Sequence, residues 1–394
     1  MSGRDLSMQV KVLHVIKTLG LGGAESNLLN LACAFDTSKV ETHVAYSGGG
    51  EIEAQFQTAG VPLYKYAEGE HRVKSLATMA IVYRLARYIQ RNGIDIVQTH
   101  NFNAHVWGLL ATCLTGVALI EHVHDQRYTP REELLRCHGA LEQFKFAKYF
   151  RHLPDRVVVL TRKTAEAVVG QRIANPERVV ELRNGIPLND GPVLDRQAIR
   201  LELDIPDEAV VILTCARIEP AKNIQLILSV AGEVCRQATD AVFLVAGSGT
   251  HLETYRRECE CAGLTSVVRF VGYRSDISTL MAGSDIFLLP SFLELHSVAV
   301  LEALRIGLPV VISTNVGCND EYIKTGWNGY LCDPFNHRPW IETLSRLAND
   351  VELRKLVGEN GRKTCYGEFD IRTTAAAFEE IYMELCLARG GLKT

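Results

Sequence analysis

The sequence predicts an α/β protein of two doubly wound domains, each a parallel sheet with helices on both faces. Two observations carry this. Short apolar strands alternate with longer helical stretches in both halves of the chain. The length, 394 residues, suits two domains of ordinary size. The first series opens with a strand over 10–16, a glycine loop and a helix over 26–35. Further strands are expected at 41–46, 94–98, 118–122 and 156–160, with a helix at 80–91 among the intervening ones. A polar stretch at 189–195, carrying Gly191 and Pro192, reads as the linker. The second series has strands at 210–215, 241–245, 267–271, 286–289 and 310–313, and an amphipathic helix over 373–388 closes the chain. The expected domains are residues 1–190 and 191–372, with 373–394 a helix packing back towards the first. Open parallel sheets bind ligands at the carboxyl ends of their strands, so the cleft between the domains is the expected site.

Composition excludes several classes. Apolar content of 47% and charged content of 22% are those of a globular protein. No apolar run has the length of a membrane span, and residues 1–8 lack the apolar core of a signal peptide. The eleven cysteines are scattered; the nearest pair is Cys259 and Cys261, and no Cys-x-x-Cys occurs. They read as reduced core residues of a cytoplasmic protein, with no structural zinc. The net charge of −4 divides unevenly: residues 1–190 hold 22 Lys+Arg against 19 Asp+Glu, the remainder 20 against 27. The first half can therefore meet an anionic surface. No basic run is long enough for nucleic acid, which is not expected as a partner.

Four groups of residues carry chemistry. Gly20, Gly22 and Gly23 lie between the first strand and first helix, where backbone can approach a ligand and a helix N-terminus favours phosphate. Their spacing is not Gly-x-Gly-x-x-Gly, and no acid ends the second strand, since Glu41 precedes it and Tyr46 ends it. A nicotinamide dehydrogenase is thereby disfavoured. Arg217 and Lys222 sit on the loop after the 210–215 strand, where two cations can clamp a diphosphate. His124 follows the 118–122 strand and can donate to a sugar hydroxyl or phosphate, although a satisfied strand-end histidine is as good a reading. His100, His105, His122 and Asp125 are weaker candidates of the same kind. Glu294 and Glu302 have seven residues between them across a strand-to-helix turn, so both can face one cleft and accept hydrogen bonds from a polyol. The apolar neighbours of Glu302, from Val298 to Leu304, argue against an exposed helix position. Asn184-Gly185 is foremost a turn.

Together these motifs resemble the retaining glycosyltransferases of family four, the group that includes sucrose synthase and bacterial lipopolysaccharide and phosphatidylinositol sugar transferases. The resemblance runs from Gly22-Gly23-Ala24-Glu25 to Asn328-Gly329, and Glu-x7-Glu is its most specific element. It implies the GT-B fold of two Rossmann-like domains, acceptor-binding first and nucleotide-sugar-binding second. It implies transfer from a nucleotide diphosphate sugar, by family frequency a UDP-sugar, to the hydroxyl of a glycan, lipid-linked or small-molecule acceptor. By position, Glu302 would bind ribose hydroxyls, Glu294 the transferred sugar, and Arg217 and Lys222 the diphosphate. Gly22 and Gly23 would approach the phosphates, backbone near Arg274 would flank the base, and His124 would sit beside the reaction centre. No cofactor or metal is expected, because two cations already serve the diphosphate and no Asp-x-Asp occurs.

The chain departs from the family at Leu295-His296-Ser297, where Gly-Phe-Gly or Gly-Phe-Pro is usual and presents backbone N–H groups to the donor. His296 and Ser297 are kept as donor-site candidates. Ala216 also replaces a common Gly. Two alternatives follow: a nucleotide-sugar 2-epimerase, and a non-catalytic nucleotide-sugar-binding subunit, which the departure at 295–297 supports. Aromatic and basic residues interleave over 141–152, which suggests peripheral contact with the inner face of a membrane; an amphipathic helix with its aromatics in the core is the competing reading.

Overall fold

The computed structural model describes residues 9–20, 22–69, 77–124, 153–188, 195–238 and 240–390. The segment 141–152, Asp125 and residues 189–194 of the expected linker lie outside these. The chain forms two compact units: Met1–Pro187 with Ile371–Thr394, and Leu188–Asp370.

In unit 1 the strands are β1 (Val10–Val15), β2 (Val40–Tyr46), β3 (Leu63–Lys65), β4 (Ile96–His100), β5 (Ala118–Val123), β6 (Arg156–Val159) and β7 (Val179–Glu181). They form one parallel sheet in the order β3-β2-β1-β4-β5-β6-β7. Every residue of β4 and β5 is buried, the pattern of central strands covered on both faces. The helix Ala77–Asn92 turns Ile81, Val82, Leu85, Ala86 and Ile89 inward at helical spacing. The helix Phe102–Thr115 ends where Gly116 takes a φ of 76°. On the opposite face the last helix, Ile371–Ala388, inserts Phe378, Tyr382 and Leu385 among Val10, Val12, Leu31 and Phe35. Each such side chain contributes about 1.5–3 kcal/mol when fully buried.

In unit 2 the strands are β8 (Val210–Cys215), β9 (Ala241–Ala246), β10 (Val268–Gly272), β11 (Ile286–Leu289), β12 (Val310–Ser313) and β13 (Tyr330–Cys332). Their order is β10-β9-β8-β11-β12-β13, again all parallel. Both sheets are thus doubly wound, with the order reversing between β1 and β4 in one and between β8 and β11 in the other. Buried Arg200 ties together the segments that lead into the central strands β8 and β11: it donates to the carbonyls of Gly283, Pro206, Asp207 and Ala209 and pairs with Asp285 at 2.7 Å. Asp285 also accepts from Arg196 and from the Val211 amide, a structural role throughout.

Observed strands fall within a residue or two of the expected ones. The first helix starts earlier, at Gly23 rather than residue 26, because Gly22 in extended conformation stands as its N-cap. The three-residue edge strands β3, β7 and β13 were not expected; segments so short carry no periodic pattern.

Candidate active site

The carboxyl ends of β8 and β11 bring together residues far apart in sequence. After β8, Ala216 to Glu219 lead into a 3₁₀ turn, Pro220–Lys222, and Asn223 then takes the left-handed conformation (φ 54°) that starts the helix Ile224–Gln237. After β11, the Phe292 amide donates to the Ala221 carbonyl at 2.8 Å, tying the two loops by their backbones. The Lys222 ammonium then pairs with the Glu294 carboxylate, whose same oxygen accepts from Ser291 Oγ at 2.9 Å. Both partners are largely buried, with side chains 18% and 12% exposed, so the ion pair is screened less than a surface one. Ser291 was missed by sequence reasoning, which had no reason to single out a serine next to a proline.

Glycines shape the walls. A Cβ at Gly247 would lie 1.9 Å from the Ala216 carbonyl oxygen, and one at Gly249 2.4 Å from that of Ile218. The β9 turn therefore presses against the Arg217 loop in a way no other residue permits. Gly317, with a φ of 58°, backs the Glu294 loop: a Cβ there would lie 2.2 Å from the Leu295 carbonyl oxygen. The next residue, Cys318, donates its amide to that carbonyl at 3.0 Å.

Ser297 is the N-cap of the helix Val298–Ile306, yet its side chain makes no capping hydrogen bond, so the first amides of that helix keep their capacity for an anion. Burial pushes the Glu302 carboxyl up to about 7, with Arg305 pulling the other way. It sits near the end of β8, since burial first and the Glu302 charge second push the Cys215 thiol up. No hydrogen bond or ion pair engages Glu302 among the described residues. Arg217 is exposed and likewise unpaired among them. Arg274 is different: its guanidinium bonds Asp276 at 2.8 and 2.7 Å and also Glu202, so its side chain is committed within the unit. The His296 ring is only 4% exposed and packs against Tyr322 and Phe369 at 5.4 and 5.1 Å between centroids. A contact from His296 to a donor would therefore come from its backbone.

Unit 1 presents its own groups at the ends of β1, β4 and β5. Gly22 N-caps the helix Gly23–Ala34 without a side-chain bond; a Cβ on Gly23 would meet nothing within 4 Å, whereas one on Gly22 would lie 2.0 Å from Glu25 Oε2, so a carboxylate stands beside this helix start. His124 follows β5, half-buried, with its Nε2 3.0 Å from Nδ1 of His100, and His100 Nε2 is 3.0 Å from Nδ1 of His14. His122 Nδ1 lies 3.1 Å from Gln98 Nε2. His105 is spent on Thr99 and Glu121. Of these, His14 was missed; its place in a strand that ends at a glycine loop was the available signal. One ring nitrogen each from His100, His122 and His124 lie within 4.8 Å of one another, the one described set that could close on a metal ion. His100 spends its two ring nitrogens on His14 and His124, whereas Nε2 of His122 is buried with no hydrogen-bond partner.

Two family descriptions match the chain, Glycosyltransferase Family 4 over residues 21–190 and Glycosyl transferases group 1 over residues 195–364. The chain belongs to this family of glycosyltransferases, as its motifs implied. It is similar to the UDP-Gal:alpha-D-GlcNAc-diphosphoundecaprenol alpha-1,3-galactosyltransferase of Escherichia coli, at 24% identity over 79% of this chain and 80% of that one. A D-inositol 3-phosphate glycosyltransferase of Saccharomonospora viridis is 29% identical over 84% and 79% of the two chains. Among solved structures, Anabaena HepE with UDP-glucose aligns with a TM-score of 0.83 at 20% identity, over 95% of this chain and 100% of that one. The fold is GT-B, and the matches favour neither the epimerase nor the non-catalytic alternative.

Proposed function

We propose that the protein transfers a hexosyl group from a UDP-sugar to an acceptor hydroxyl with retention at the anomeric carbon. The observation that carries this is the buried pairing of Lys222 with Glu294 beyond β8 and β11, where unit 2's strand order reverses, with Glu302 on the helix that follows β11. Unit 2 binds the donor: Glu302 takes the ribose hydroxyls, Glu294 the hydroxyls of the transferred sugar, and Lys222 with Arg217 the diphosphate. Amides of Ser297 and the helix it caps, with the His296 backbone, add donors to the phosphate, and backbone near Arg274 flanks the base. Unit 1 binds the acceptor, and the family resemblance assigns Gly22 and Gly23 to the phosphates and His124 to the sugar. These roles rest on the family resemblance together with the local geometry.

In the reaction the bond from the anomeric carbon to the diphosphate breaks, and Lys222 and Arg217 offset the charge left on the phosphate. The acceptor oxygen bonds to the anomeric carbon on the same face, and its proton passes to the departing phosphate. Two cations supply the charge a metal ion would bring, so turnover should persist in chelator. The presence of undecaprenol in the Escherichia coli relative's name supports a lipid-linked acceptor. On the helix Ala77–Asn92, Arg84, Arg87 and Arg91 line a groove of about 420 Å³ with Tyr64, Tyr83 and Tyr88, and this basic, aromatic face suits anionic lipid on the cytoplasmic side. No described helix is long and apolar enough to cross a membrane.

Thermal shift with UDP-, GDP- and ADP-sugars tests the donor. A UDP-sugar should raise the melting temperature, because binding stabilises the native state, and Lys222→Ala should abolish transfer while leaving the fold intact. Stabilisation by GDP- or ADP-sugars alone would overturn the uridine assignment. For the membrane face, sedimentation with phosphatidylglycerol vesicles should be lost in the double variant Arg87→Ala, Arg91→Ala; unchanged binding would sink it.

A further inference from the structure

Two donors converge on one oxygen of Glu294. The Lys222 ammonium pairs with Oε1, and Ser291 Oγ donates to the same atom at 2.9 Å. A carboxylate oxygen has two lone-pair sites, so Oε1 is filled. Oε2 accepts no hydrogen bond among the described residues, yet it is not one of their buried, unpartnered atoms, so it retains contact with solvent. Ser291 itself is 1% exposed. It stands two residues beyond β11, after Pro290, whose ring fixes its own φ. The next amide, that of Phe292, bonds the Ala221 carbonyl at 2.8 Å, and Ala221 adjoins Lys222, so one backbone bond holds both donors in register. On the other side of Glu294, the Leu295 carbonyl accepts from the Cys318 amide at 3.0 Å and from Cys318 Sγ at 3.2 Å. The carboxylate thus sits between two anchored points of backbone.

We propose that Ser291 is a positioning residue for donor recognition: with Lys222 it holds Glu294 Oε1, so that Oε2 alone meets the hydroxyls of the transferred hexosyl group. This rests on the reading that Glu294 takes those hydroxyls. The last torsion of a glutamate is soft, and an ammonium is a compact charge on a flexible stem, so Lys222 by itself would accept either oxygen. A hydroxyl on anchored backbone supplies the missing direction. With Oε1 filled, the sugar meets one oxygen with two open lone-pair sites, not a carboxylate free to clamp it with both. Turning the carboxylate to follow a displaced hydroxyl would break the Ser291 bond and leave a buried hydroxyl without an acceptor, which is costly. Glu294 therefore reads the sugar from one direction. Lys222 spends one of its three N–H donors on Glu294 and keeps two for the diphosphate, so sugar and phosphate recognition share one ammonium.

The test is titration calorimetry of the full-length protein with UDP, UDP-glucose and UDP-galactose, which needs no acceptor. Ser291→Ala should weaken the tighter-binding of the two hexosyl donors about tenfold, the scale of a lost hydrogen bond to a charged group. It should weaken UDP, which has no sugar for Glu294 to read, less than about twofold, and this retained affinity shows that the site is folded. In a Glu294→Ala background the same substitution should cost the hexosyl donor less than about twofold, because the carboxylate that Ser291 orients is gone. Equal losses for UDP and the hexosyl donor would make Ser291 a structural residue and overturn the proposal. So would an unchanged hexosyl affinity in Ser291→Ala, or a tenfold loss that persists without Glu294. A wild type that binds none of the three ligands would overturn the donor reading itself, and the role of Ser291 with it.

Discussion

Glu302 shows how a single residue couples binding to pH. Its carboxyl is held up to about 7 against an ordinary value of 4.5. The native state therefore retains a proton that the unfolded chain has released, and from pH 4.5 to 7 folding stability falls as pH rises. The full effect is on the order of 3 kcal/mol. Melting temperatures from pH 5 to 8 should fall more steeply for wild type than for Glu302→Gln. Ribose hydroxyls, in contrast, favour the ionised form, so UDP affinity measured by calorimetry should rise through pH 7 in wild type and stay flat in the variant. The apolar flanks of Glu302 made its burial legible in the sequence. The partnership of Lys222 with Glu294 was not, because 72 residues separate them and only the adjacency of β8 and β11 joins them. Both were singled out as residues; their contact needed the fold.

At the scale of elements, the Glu294 loop depends on a turn from another strand. Gly317 follows β12, and its left-handed φ together with its approach to the Leu295 carbonyl permits no side chain. Gly317→Ala should cost about 1–3 kcal/mol in denaturant unfolding and displace Glu294, lowering kcat more than a surface substitution of equal stability cost. Equal kinetics in the variant would show that the loop is held by other means. The long strands and amphipathic helices were readable from periodicity, since burial on one or both faces dictates it. The Gly317 turn was not, because a lone glycine in a polar loop has the same appearance whether it turns a chain or accepts a neighbour's carbonyl.

At the scale of the molecule, the sequence of unit 1 is interrupted. The chain leaves it at Pro187 and returns at Ile371, where the Ile371 amide donates to the Ile186 carbonyl at 3.0 Å. The returning helix supplies Phe378, Tyr382 and Leu385 to the core, and Tyr382 reaches the histidine set through Gln98. Unit 2, by contrast, is continuous from Leu188 to Asp370. On the ribosome the usual order of assembly is then reversed: the second unit has all its residues before the first can close. Arrested nascent chains released at residue 370 should yield a protease-resistant fragment spanning unit 2 and a digestible unit 1. Adding the helix Ile371–Ala388 as a separate peptide should restore protection of unit 1. Early resistance of unit 1 would mean its sheet is stable without that helix. A helix made only after the whole of unit 2 thus holds a veto over whether unit 1 becomes part of an enzyme.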